Sequence, residues 1–237
     1  MNHILIEKWL VAALLLGGTA TTAQGAAVEE IVVTASMKEE GYNEMPAITL
    51  RHKADFLVQE VRFVNDSRSP DLRRTEIIES IAKFLQSARK KKGIELSYGE
   101  GFLLPVDLTD DSLQVINDRQ RVDTSRVDVY VKSAVAASGS VKEQIAKLRA
   151  FIAEQKLVGR TEIETMGDIG LSIVGPEQYR YEILKSITDE NERIRKIVGQ
   201  SCSTTVSGLE RRVSWERTSV DELTLYIPYG TEIKCGG

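Results

Sequence analysis

Histidine is almost missing from this sequence: His3 and His52 are the only two in 237 residues. No site built on several imidazole ligands can be assembled from them, and a Ser-His-Asp triad would have to be built on His52. A basic excess is missing too, because 31 Lys and Arg stand against 35 Asp and Glu, for a net charge of -4. With a pI near 5.5, the chain lacks the positive stripe by which nucleic-acid binders neutralise phosphates. Aromatic residues make up only 6%, and the two cysteines form no C-x-x-C pair. No apolar run approaches the ~20 residues that a membrane-crossing helix needs. What is left is an ordinary globular composition, 42% hydrophobic and 28% charged, of a length for one or two domains.

The first segment reads as an address. Lys8 precedes the apolar run Trp9 to Leu16, and small residues follow through Thr19, Ala20, Thr21, Thr22 and Ala23. That is the pattern of a secretory signal peptide, 1–25, cleaved after Gly25 or, almost as well, after Ala27. No cysteine follows the run to carry a lipid. The mature protein is therefore expected in the periplasm, where disulfides persist, with no transmembrane segment. Residues 26–47 are expected to be a flexible N-terminal segment, and 48–237 the folded domain.

Cys202 and Cys235 bracket two stretches of strand character, Ser203 to Glu216 and Glu222 to Lys234. The polar residues Arg217 to Asp221 between them read as the turn of a hairpin. Pairing Trp215 with Leu223 and Val213 with Leu225 gathers the apolar positions on one face. One bulge, with Gly208 as its natural site, then sets Cys202 opposite Cys235. The two cysteines are expected to form a disulfide that staples the open end.

Between these ends, strand and helix periodicities alternate. Ile48 to Asn65 reads as one long strand, irregular near Gln59-Glu60. A helix capped by Ser69, with Pro70 at its first position, carries Ile77, Ile78, Ile81, Phe84, Leu85 and Ala88 on one face as far as Gly93. Ile94 to Leu108 reads as a strand broken by glycines, Asn117-Asp118 as a turn, and Arg126 to Val135 as a cleanly alternating strand. Ser140 to Glu143 has capping-box form and opens a second helix, which Gly159 can terminate. Strand Arg160 to Val174 follows, and Gly175-Pro176 opens a third helix ending at Gly199. The expected class is α+β: a mainly antiparallel sheet with three helices, two strand-helix-strand units, then a C-terminal helix and the stapled hairpin.

Little in this body points to chemistry. Asp107, Asp110 and Asp111 cluster in a loop without the spacing of a calcium hand. Asp189, Glu190 and Glu192 read as an exposed helix face. Gly99-Glu100-Gly101 lacks the third glycine of a dinucleotide loop. Ser201, Ser203 and Ser207 sit in no nucleophile elbow, and Trp215, Tyr226 and Tyr229 read as core or as a dimer seam. The expectation is a protein that is not an enzyme, with no catalytic residue, no metal ligand and no cofactor.

The remaining signal follows the leader: Glu29, Glu30, Ile31, Val32, Val33, Thr34 and Ala35, then the polar stretch Ser36 to Met45. Acidic residues before a β-branched run ending Thr-Ala resemble the TonB box of outer-membrane TonB-dependent transporters. The resemblance implies that 29–35 add as a strand to the sheet edge of a TonB-like periplasmic partner. On the residues alone, Ile31 to Ala35 is equally the first strand of the domain. The plug and barrel of such transporters find no room in this length, so transport is excluded. The body resembles the SIMPL domain of exported bacterial proteins linked with stress protection and oligomeric assemblies. That likeness rests on Lys53-Ala54-Asp55, the helix ending at Gly93-Ile94, the strand around Asp128 to Lys132, and the element order; Asp123-Thr124-Ser125 replaces that family's Gly-Tyr. The expected function is engagement of TonB or a related partner by the N-terminal box. The alternative is a self-assembling SIMPL-like scaffold or stress-protection protein of the cell envelope, which would be a homo-oligomer.

Overall fold

The computed structural model of the chain describes residues 29–33, 45–100, 102–109, 113–119, 121–199 and 201–236. The expected leader, 1–25, lies outside them. In chain order the strands are β1 (Glu30–Val33), β2 (Leu50–Lys53), β3 (Phe56–Asn65), β4 (Ile94–Tyr98), β5 (Leu104–Pro105), β6 (Ile116–Asn117), β7 (Ser125–Ala134), β8 (Thr161–Val174), β9 (Cys202–Ser207), β10 (Ser214–Arg217), β11 (Glu222–Tyr226) and β12 (Gly230–Cys235). The helices are α1 (Pro70–Arg89), α2 (Val141–Ala153) and α3 (Arg180–Val198), the last entered through a 3-10 turn, Pro176–Tyr179. The class is α+β, with antiparallel pairing throughout the described strands.

The main sheet runs β1-β8-β3-β7-β4-β5, with β6 beside β7. Alternation explains its centre. Val127, Val129 and Val131 of β7 face the same side as their partners Phe63, Val61 and Gln59 on β3. On that side α1 lays down Ile77, Ile81, Phe84 and Ala88, all at most 1% exposed. Each of the two isoleucines and the phenylalanine contributes roughly 1.5–3 kcal/mol by leaving water. Ser69 caps α1 as its sequence implies, its Oγ accepting from Leu72 N at 3.2 Å.

The expected long strand Ile48 to Asn65 is two strands. At Ala54-Asp55 the chain steps from one sheet to another, because Ala54 N bonds to Asp221 O and Asp55 N to Ser172 O, both at 2.9 Å. β2 therefore joins β11 and β10 in a three-stranded sheet. The irregularity near Gln59-Glu60 is real but sits on the partner: Val58 pairs with Gly170 and Glu60 with Met166, so Gly167 to Ile169 bulge opposite Gln59. The fully buried Gln59 side chain repairs the gap by donating to Met166 O at 2.8 Å.

Helix α2 ends at Ala153, not near Gly159, and Ser140 makes no side-chain cap bond. Gly159 instead turns the chain into β8 at φ 58°. A side chain there would collide with the Glu76 carboxylate, which is held by Asn65 Nδ2 (2.7 Å), Ser67 Oγ (2.7 Å) and Arg160 N (3.1 Å).

The disulfide Cys202–Cys235 is present, its cysteines directly opposite on β9 and β12. The hairpin register differs from expectation near the turn, where Trp215 pairs with Leu225 instead of Leu223. Six residues, 208–213, then face three, 227–229, so the irregularity at Gly208 is a loop and not a single-residue bulge. The Arg180 guanidinium fills that loop, donating to the carbonyls of Leu209 and Arg211. Tyr226 is buried, and Trp215 and Tyr229 pack against the core, so these aromatics are interior.

Candidate functional site: the seat of the first strand and the cavity beside it

The box-like segment is not a free ribbon. Glu30, Ile31, Val32 and Val33 pair with Val174, Ile173, Ser172 and Leu171 of β8, which corrects the expectation of a flexible segment for residues 29–33. Gly175 N donates to Glu29 O at 2.6 Å, and Arg212 lies 3.5 Å from the Glu29 carboxylate. The other edge of β1 is taken as well, since Ile31 bridges Phe102 and Leu103 N donates to Glu30 O at 3.0 Å. Phe102 leads into β5, so β1 joins the two ends of the main sheet. Closure of this kind removes open edges. Thr34 and Ala35 lie outside the described residues.

The side chain of Glu30 explains why this strand fits. Ile31 is buried against the core; Glu30 and Val32 face the other side of the sheet. There Lys132 of β7 is only 2% exposed, and its Nζ donates to Glu30 Oε1 at 2.7 Å and Oε2 at 2.5 Å. Ser172 Oγ donates to Glu30 Oε1 at 2.8 Å, Glu95 Oε2 forms an ion pair with Lys132 Nζ at 3.0 Å, and the Phe56 ring lies 4.1 Å beneath the ammonium. An isolated buried ammonium is costly; the seat supplies two carboxylates and an aromatic face. The acidic start of the box, read as a recognition feature for a partner, is the counter-ion of a lysine in the same chain.

Beside the seat, on the same face, lies a cavity of about 210 Å³ lined by Val32, Val58, Glu60, Tyr130, Met166 and Asp168. Glu60 and Tyr130 are cross-strand partners. Neither the Glu60 carboxylate nor the Tyr130 hydroxyl has a hydrogen-bond partner among the described residues. Next to them Arg62 is committed to Asp128 through two bonds, at 2.6 and 3.0 Å. Burial pushes the Glu60 carboxyl above its usual range, and the charge of Asp128 adds to this while Arg62 opposes it. Burial also raises the Tyr130 phenol, with Glu60, Asp128 and Glu100 contributing.

Other residues singled out in the sequence lie elsewhere. His52, on β2, takes its hydrogen bond from or gives it to Tyr179 Oη at 2.7 Å, the rings 4.4 Å apart. Asp107 closes a local turn on Thr109, while Asp110 and Asp111 fall outside the described residues. Asp189 and Glu190 pair with Lys185 and Arg193 on the surface of α3. Lys132, Glu60 and Tyr130 were missed by the sequence reading. Their signal is the second face of the alternating strand, where Arg126, Asp128, Tyr130 and Lys132 interleave with the core valines; only the arrival of β1 turns that polar face into a lined interior.

No protein-family model, curated protein or solved structure matches the chain. Among the described residues no helix is long and apolar enough to cross a membrane.

Proposed function

We propose that the protein is an exported, non-enzymatic protein of the cell envelope that assembles by exchanging its N-terminal strand between copies, a scaffold of SIMPL-like architecture. The observation that supports this reading is the seat: one chain carries both a strand with box character and a built acceptor for it, Lys132 included. Removing β1 would leave the Lys132 ammonium with Glu95 as its one carboxylate partner, so an empty seat is costly. A strand donated by a second copy restores every contact of the closed form, which is what makes swapping of an identical element inexpensive. The 16 residues between Val33 and Leu50 span up to about 50 Å when extended, enough to reach a neighbour. Pairing of the same segment with a TonB-like partner requires β1 to leave this seat first, and so it stands second.

A double variant, Val32→Cys with Ser172→Cys, tests the reading, since these residues are register partners. Exchange predicts covalent dimers or longer ladders on a non-reducing gel, growing with protein concentration. Monomer alone at every concentration overturns it. Retention of a TonB C-terminal domain by wild type and not by Val32→Pro would favour the second reading instead.

A further inference from the structure

We infer that the cavity between Val32 and Tyr130 is a binding site for a primary ammonium group on a short aliphatic chain. Pockets for drug-sized ligands run from about 300 to 1,000 Å³, and this one, near 210 Å³, suits a single side chain or a simple amine. Its walls divide by chemistry. Val32, Val58 and Met166 offer an apolar surface for a hydrocarbon stem, and the Tyr130 ring offers a face on which a cation is stabilised.

The charge of the site is as one-sided as its shape. Glu60 enters from β3 and Asp168 from the bulge of β8, and Asp128 stands next along β7. Two cations stand on this face and both are committed, Arg62 with its bonding nitrogens on Asp128 and Lys132 with its ammonium on Glu30 and Glu95, so Glu60 retains an unmet need for a donor. An ammonium group supplies three donors and one positive charge in a compact head. Paired with Glu60, it would satisfy a carboxylate that burial otherwise disfavours. The bulge has a part in this: by turning Gly167 to φ 57°, β8 brings Asp168 to the rim beside Met166.

The cavity is complete only when β1 is in place, since Val32 forms one wall, but it is the same cavity whether that strand comes from its own chain or from another copy. The inference therefore does not depend on strand exchange, and its test reads binding instead of size.

The free amine and the lysine side chain of a protein share this chemistry, and two probes separate them: cadaverine, and the capped peptide acetyl-Gly-Lys-Gly-amide. Each is titrated into the full mature protein at pH 7.5, with calorimetry and the NMR shifts of the Met166 methyl as readouts. Saturable binding of either probe is expected, with pentanol, which has the stem without the charge, failing to compete. Glu60→Gln should weaken binding at least tenfold and Asp168→Asn severalfold. Glu60→Gln removes a charge that burial opposes, so it should fold at least as well as wild type. Affinity should also fall as the pH is lowered and Glu60 takes up a proton, with burial first, then Asp128 raising and Arg62 lowering the midpoint; Asp168, Tyr130 and Lys132 are the other ionisable groups on that face. Cadaverine binding alone identifies a small-molecule ligand, and peptide binding alone identifies a docking lysine. No saturable binding of either probe, or equal affinity in Glu60→Gln, overturns the inference.

Discussion

At the scale of single residues, two carboxylates respond to their surroundings in opposite senses. Glu76 lies below the usual carboxylate range because Ser67 Oγ, Asn65 Nδ2 and the Arg160 N–H all bond to its ionised form. A lowered native pKa means the stabilisation is present above the ordinary carboxylate value and is lost as the pH falls through the native one. Glu76→Gln should therefore flatten the acid limb of a urea-midpoint profile between roughly pH 5 and 3; an unchanged limb would assign that limb to other groups, Asp66 with its Arg160 partner among them. Glu60, raised by burial, contributes in the reverse sense: its share of stability is present at low pH and is lost as the pH rises through its native value. The Glu30–Lys132 pair is buried on both sides, with side-chain exposures of 11% and 3%. Glu30→Gln should cost about 3 kcal/mol, the lower end for breaking a buried pair because Glu95 remains. Chemical denaturation of the variant measures this, and a loss under about 1 kcal/mol would mean that Lys132 is satisfied without the Glu30 carboxylate.

At the scale of elements, most of the helices and strands could be read from period and punctuation, because Ser69-Pro70 and the Val127-Val129-Val131 alternation are local signals. What could not be read depends on partners far away in the chain. The break at Ala54-Asp55 exists because β2 and β3 belong to different sheets, and nothing within Ile48 to Asn65 says so. The hairpin register failed for a related reason. Counting apolar faces near the turn assumes one continuous ladder, whereas residues 208–213 leave it to wrap the Arg180 guanidinium. Gly208 makes that departure at φ 86°, and a Cβ there would lie 2.6 Å from Pro228 O. Gly208→Ala should cost more than about 1 kcal/mol, read as a shift in thermal midpoint; a neutral result would show that the loop can rebuild. The box residues were legible as a strand, but their partner was not, since either edge pairing is consistent with the same seven residues.

At the scale of the whole molecule, the Cys202–Cys235 bond closes a loop of 33 positions at the far end of the chain from β1. In the chain-entropy treatment such a loop is worth about 3–4 kcal/mol. The double variant Cys202→Ala, Cys235→Ala should accordingly melt roughly 10 °C lower in scanning calorimetry. A drop of a degree or two would indicate that α3 and the β9–β12 ribbon already order one another without the covalent link. The cavity and the seat share one cause that no local pattern encodes, namely that the ends of the main sheet meet. That junction also bears on when the structure can form. Ser172 and Glu30, which touch across it, are 142 positions apart in sequence, and contacts of such separation carry the heaviest loop-closure penalty. β1, which precedes the rest of the sheet in the chain, is thus the piece that must wait for its berth until β8 has paired. Pulse-labelled hydrogen exchange during refolding should find the amides of Ile31 to Val33 protected after those of β3 and β7; simultaneous protection would mean that closure and sheet formation are a single event.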